Sequence, residues 1–88
     1  MHKFRLGQIV YTRGVAALNL PIERLLGLLS RHVSGDWGDV CAEDALGNDT
    51  AVAQGLRVLS SYQVDGVTIW IITEWDRSVT TLLLPEEY

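Results

Sequence analysis

Two runs rich in β-branched and aromatic residues, Leu56 to Val64 and Val67 to Thr73, meet at the dipeptide Asp65-Gly66. Asp-Gly between such runs is a strong short-range hairpin signal, because a two-residue type I′ turn needs left-handed backbone at both central positions. A two-residue turn also fixes the register: Val64 faces Val67, and each further pair follows, ending with Val58 opposite Thr73. Side chains alternate across a strand, so Val58, Ser60, Tyr62 and Val64 share a face with Val67, Ile69, Ile71 and Thr73. The other face carries Arg57, Leu59, Ser61 and Gln63 with Thr68, Trp70, Ile72 and Glu74. The first face is the more apolar and is expected to lie against the core. Arg57 falls opposite Glu74, which predicts a cross-strand ion pair. Glu74 to Ser78 then reads as a wider turn, and Val79 to Leu84 as a third strand of the meander, stopped by Pro85.

The rest of the chain must cover that face. Gln8 to Thr12 reads as a short strand closed by Gly14. Asn19-Leu-Pro21 offers a helix start, with Pro21 in the first turn where its missing N–H costs nothing. Ile22, Leu25, Leu26, Leu29 and Val33 recur at helical spacing beyond it, predicting an amphipathic helix. Gly27 within it weakens the helix slightly or marks a close contact with the sheet. A second helix is expected over Ala42 to Gln54, with Glu43 and Asp44 in the first turn and Gly55 as its stop, although Gly47-Asn48 interrupts its thin apolar set. Helices grouped before strands predict an α+β fold: an antiparallel sheet, formed by the C-terminal three-stranded meander plus an N-terminal strand, packed on one or two helices. The neighbour of the N-terminal strand is not specified. At 88 residues the chain is expected to form a single α+β domain over residues 1–88.

Charge narrows the partners. The net charge is −4, opposite to that of a domain that holds duplex DNA by neutralising phosphates. The charge is also segregated. Residues 1–32 carry Lys3, Arg5, Arg13, Arg24 and Arg31 against Glu23, whereas residues 33–56 carry Asp36, Asp39, Glu43, Asp44 and Asp49 with no basic residue. A single cysteine, Cys41, excludes an internal disulfide framework and fits a reducing compartment. With no apolar run of membrane-spanning length and no apolar N-terminal stretch, no membrane association is expected, and a cytoplasmic location is.

The residues that carry chemistry admit several readings. His32, near Ser34 and Asp36, has the residue types of a general base with an orienting carboxylate; a histidine at a helix C-terminus is also simply favoured by the dipole. His32 with Arg57, Arg77 and hairpin hydroxyls (Ser60, Ser61, Tyr62, Thr73, Ser78, Thr80, Thr81) forms the inventory of a small metal-independent ribonuclease toxin. No pair of His or Cys has metal-ligand spacing and no Gly-rich phosphate loop occurs, so no metal and no cofactor is expected. The acidic segment reads either as a solvated helix face or as a docking surface for a basic protein surface. On the second reading Asp36, Asp39, Glu43, Asp44 and Asp49 supply charge, and Trp37 and Trp75 supply aromatic anchors.

Ser34-Gly-Asp-Trp-Gly-Asp-Val40, Leu59-Ser-Ser-Tyr62, Trp70-Ile-Ile-Thr-Glu-Trp-Asp-Arg-Ser-Val-Thr-Thr81 and the terminal Leu83-Leu-Pro-Glu-Glu-Tyr88 resemble a family of small plasmid- and phage-borne bacterial proteins. Its members are labelled plasmid-related or restriction-system subunit; a chain this short has no room for a methyltransferase subunit's cofactor-binding fold and target-recognition domain. The resemblance implies a setting among the accessory genes of mobile elements, where small acidic proteins act as anti-defence factors, anti-CRISPR proteins included. The leading expectation is a non-enzymatic inhibitor that blocks a basic nucleic-acid-binding surface of a host complex. The alternatives are the ribonuclease and a homodimeric accessory protein paired through an exposed strand, Val79 to Leu84 or Gln8 to Thr12.

Overall fold

The computed structural model describes residues 2–88. In chain order it contains β1 (Gln8–Tyr11), α1 (Arg13–Ala17), α2 (Ile22–Val33), α3 (Ala42–Gln54), β2 (Val58–Val64), β3 (Val67–Thr73), β4 (Val79–Leu83) and a 3-10 turn at Pro85–Glu87. The fold is α+β, as the order of elements predicts. Asp65 and Gly66 have φ of 52° and 81°, the left-handed pair that a type I′ turn demands. The hairpin register follows from it, with Val64 opposite Val67 and Val58 opposite Thr73.

The four strands form one sheet in the order β1-β4-β3-β2. β4 pairs antiparallel with β3 and parallel with β1, so the sheet is mixed, and β4 is an interior strand with no edge to offer a partner. Val58, Ser60, Tyr62, Ile69, Ile71, Thr73, Thr80 and Leu82 are buried. Val15 of α1 and Leu28 and Leu29 of α2 pack on Tyr62, Val64, Ile69, Ile71 and Leu82 in the main apolar cluster. Trp37, Ala51 of α3 and Val58 form a second cluster with Phe4, Val40, Ala45 and Val52.

The buried stripe of α2 differs from the expected one. It runs through Leu28, Leu29, His32 and Val33, while Ile22 and Leu26 are exposed. The core accepts a histidine here because the facing sheet supplies hydroxyls. Gly27 makes no close contact, since a Cβ there would meet nothing within 4 Å. α3 has the predicted bounds and is continuous through Gly47-Asn48. It ends on Gly55 in the left-handed conformation, and at its start Cys41 Sγ caps one first-turn N–H, accepting from Asp44 N at 3.4 Å.

The outer edge of β2 is closed by side chain and loop. The Asn48 amide donates to Leu59 O at 2.8 Å and accepts from Leu59 N at 3.2 Å, imitating a neighbouring strand. Two residues on, Ser61 N donates to Trp37 O and Asp39 N donates to Ser61 O. This covered edge is one of the ways a sheet avoids edge-to-edge association.

Candidate functional site

Two places gather the residues singled out by sequence: a buried polar chain behind α2, and the acidic end of α3. The first starts at His32, which is fully buried. Its Nδ1 lies 2.5 Å from Ser60 Oγ and its Nε2 2.9 Å from Thr73 Oγ1. Thr73 Oγ1 lies 2.7 Å from Thr80 Oγ1, which donates to Leu6 O at 2.7 Å.

A carbonyl only accepts, and a hydroxyl has one proton, so the order of donors follows. Thr80 donates to Leu6 O, Thr73 must donate to Thr80, and the imidazole must donate from Nε2 to Thr73. The neutral ring then accepts at Nδ1 from the Ser60 hydroxyl. Every proton in the chain has one place to go. It ties α2 to β2, β3, β4 and the N-terminal arm at once. Phe4 and Trp37 enclose the ring edge-on, with centroids 5.2 and 5.9 Å away.

The Ser60–His32 distance is that of a nucleophile and its base, but both groups are buried and a substrate atom has no route to either. Burial, reinforced by the Arg77 charge, lowers the His32 pKa to about 4, far from the value that suits a general base at neutral pH. The other two residues of the ribonuclease reading lie elsewhere. Arg77, in the β3–β4 turn, donates to Leu56 O and Glu74 O from Nη1 and to Ala51 O from Nη2, so it satisfies one carbonyl in the last turn of α3, one just beyond that helix and one in its own turn. Arg57 donates to Tyr88 Oη at 2.6 Å and lies 5.5 Å from the centre of its ring.

The expected Arg57–Glu74 ion pair is therefore corrected. Arg57 lies just before the first paired residue of β2, and Tyr88, edge-on to Trp70 at 5.8 Å, returns over the same face and takes the guanidinium. His32, Arg57 and Arg77 do not share a cavity: Arg77 lines a cleft with Lys3, Phe4 and Arg5, and Arg57 lines a groove with Glu43, Asp44 and Leu59.

At the second place the acidic segment divides. Asp36 is paired with Arg31, with contacts of 2.7 and 3.3 Å. The Arg31 hydrogen bond, outweighing burial, holds its carboxyl below the usual range. Trp37 is only 5% exposed and donates from Nε1 to Asp49 Oδ1 at 3.0 Å. Trp37 is thus a core residue and not a surface anchor, and Asp49 holds its indole.

What remains open is Asp39, Glu43 and Asp44, all exposed. Among the described residues the ion pairs are Arg24–Asp65 and Arg31–Asp36, so these three carboxylates face solvent without a paired cation. Leu46, three residues from Glu43 and on the same side of α3, is 68% exposed, an apolar anchor that charge counting passed over. Trp75 is exposed, but its turn is joined through Arg77 to the C-terminal end of α3. A helix of this length spans about 20 Å, so Trp75 and the three acids form separate patches.

Among the described residues no group of three or more His, Cys, Asp or Glu side chains is placed to hold a metal ion. No helix among them is long and apolar enough to cross a membrane. No family model, no curated protein and no solved structure matches the chain.

Proposed function

We propose that this protein is a non-enzymatic binding module that docks the N-terminal half of α3 on a basic protein surface. The carrying observation is that Asp39, Glu43 and Asp44 are exposed and unpaired at the N-terminal end of α3, with Leu46 exposed one helical turn from Glu43. Apolar contact at the centre with charge at the rim is the usual anatomy of a protein interface. Rim carboxylates steer the encounter with a Lys/Arg-rich groove and set its salt dependence. An acidic domain seated in such a groove competes with nucleic acid for it. With the mobile-element setting implied by the resemblance, that makes an anti-defence inhibitor, of the anti-CRISPR kind, the function this reading supports. It acts in the bacterial cytoplasm and needs no cofactor.

The tagged protein will retain a nucleic-acid-handling complex from a bacterial lysate and release it as salt rises. Reversing Asp39, Glu43 and Asp44 to Lys will weaken that complex by about 100-fold or more, since like-charge contacts cost several kcal/mol and 1.4 kcal/mol is tenfold. Leu46→Ala will weaken it about tenfold through faster dissociation. Circular dichroism controls for the charge reversals, which oppose the helix dipole by about 0.3–1 kcal/mol each. Full retention by a folded triple-Lys variant removes the proposal.

A further inference from the structure

β1 is the open edge of the sheet. Gln8 N and Thr12 N donate to Ser78 O and Leu82 O of the β4 side. Alternate residues of a strand turn their backbone groups to opposite sides, so Ile9 and Tyr11 direct theirs away from the sheet. The side chains there are apolar and open: Ile9 is 45%, Val10 36% and Tyr11 58% exposed. Exposed edges are normally guarded by lysine, proline or a bulge. β1 has neither residue, and its register with β4 is unbroken, while the β2 edge is closed by Asn48 and residues 37–39.

We propose that β1 is the seam of a twofold dimer of this chain, with the two β1 strands antiparallel and Val10 facing Val10 across the axis. Each strand is its own complement in this register. Ile9 of one copy meets Tyr11 of the other as a hydrogen-bonded pair, and the symmetric pair repeats it. The outward-facing groups of both strands are satisfied, and Val10 falls at the non-hydrogen-bonded position where side chains approach most closely.

Ile9 and Tyr11 share the helix-bearing face with Thr80 and Leu82, their β4 neighbours, and cross the seam as aromatic and β-branched partners, a favourable strand pairing. Gln8 faces Thr12 and Arg13 faces Gly7, so no like charges oppose. A neutral, self-complementary strand fits a second copy better than a charged partner, and isologous pairing closes at two. The result is one continuous eight-stranded sheet that leaves the acidic end of α3 free on both copies. The inference is independent of the docking role given to that end.

The test is solution mass by light scattering or sedimentation, against a chain mass of 9.8 kDa. The wild type will show the mass of two chains at high micromolar concentration. Val10→Lys, at a position exposed in the monomer, will show the mass of one, with an unchanged circular dichroism spectrum, and Tyr11→Lys will do the same. Mixing Val10→Lys with Val10→Glu will restore the two-chain mass, because only the mixed seam brings opposite charges together at the axis. A single-chain wild type at millimolar concentration overturns the proposal. So does a dimer that survives both lysines, or a Lys/Glu mixture that stays monomeric.

Discussion

Through the His32 imidazole alone, acidification from pH 6.5 to pH 4 will cost this fold about 3 kcal/mol. Burial first, and the Arg77 charge second, lower the His32 pKa from 6.5 to about 4. The unfolded chain takes up a proton as pH falls through 6.5, while the native ring stays neutral until about 4. The unfolded state is therefore favoured progressively inside that window, by about 1.4 kcal/mol per pH unit. Above the window the contribution of His32 is fully present and independent of pH. Domains of this class have total stabilities of about 5–15 kcal/mol, so the loss is a large part of the whole.

Carboxylates with lowered pKa values, such as Asp36 beside Arg31, lose their own contribution only as pH falls below the ordinary carboxylate range. The interval from 6.5 to 5 thus isolates the histidine. Urea unfolding at several pH values will show midpoints falling in that interval. Nitrogen-15 shifts will show a neutral ring with its proton on Nε2 at pH 5, the tautomer that the Thr73–Thr80–Leu6 chain imposes. A ring that titrates near 6.5, or carries its proton on Nδ1, contradicts the chain as assigned.

That chain also shows where the sequence was legible and where it was not. Features decided by neighbouring residues were readable: Asp65-Gly66 sets its own turn, the turn sets the hairpin register, and Gly55 ends α3 by a local backbone conformation. Features decided by distant partners were not. β1 lies parallel to β4 some 70 residues away, and no local pattern in Gln8–Tyr11 names that neighbour. The buried stripe of α2 was misplaced for the same reason. A histidine is not counted among the apolar residues of the stripe, and only the hydroxyls of Ser60 and Thr73, brought opposite by folding, make the core a good place for it.

Of the hydroxyls grouped with His32 in the sequence, Ser60, Thr73 and Thr80 join its hydrogen-bonded chain, whereas Tyr62 donates to Asp36 O and Ser78 to Asp76. Among the acids, a run of like charge says nothing of which members the fold uses. Asp36 and Asp49 are claimed by Arg31 and Trp37, which leaves Asp39, Glu43 and Asp44. Asn48, read as a helix interruption, was the missed residue. Its signal was its spacing, three residues from both Ala45 and Ala51 on the inward side of α3.

Gly38→Ala will destabilise the domain by about 4 kcal/mol, whereas Gly47→Ala, nine residues away, will stabilise it by about 0.5–1 kcal/mol. Gly38 has φ +74°, and a Cβ there would stand 2.1 Å from Ser61 O and 2.6 Å from Tyr62 Cδ1. The left-handed conformation alone costs an alanine roughly 1–2 kcal/mol. Relieving the clash moves residues 37–39 off β2, endangering the Ser61 N–Trp37 O and Asp39 N–Ser61 O bonds, each worth about 1 kcal/mol. Trp37, which encloses His32, moves with them. At Gly47 the same added methyl meets nothing within 4 Å and simply improves a helix interior. For a domain of this size 1 kcal/mol shifts Tm by about 4–8 °C, so the two variants will move Tm in opposite directions, the first by about 16 °C or more. Equal Tm values would mean that the 37–39 segment does not close the β2 edge. The acidic face would then lose an anchor as well, because the Asp39 N–Ser61 O bond ties Asp39 to this edge.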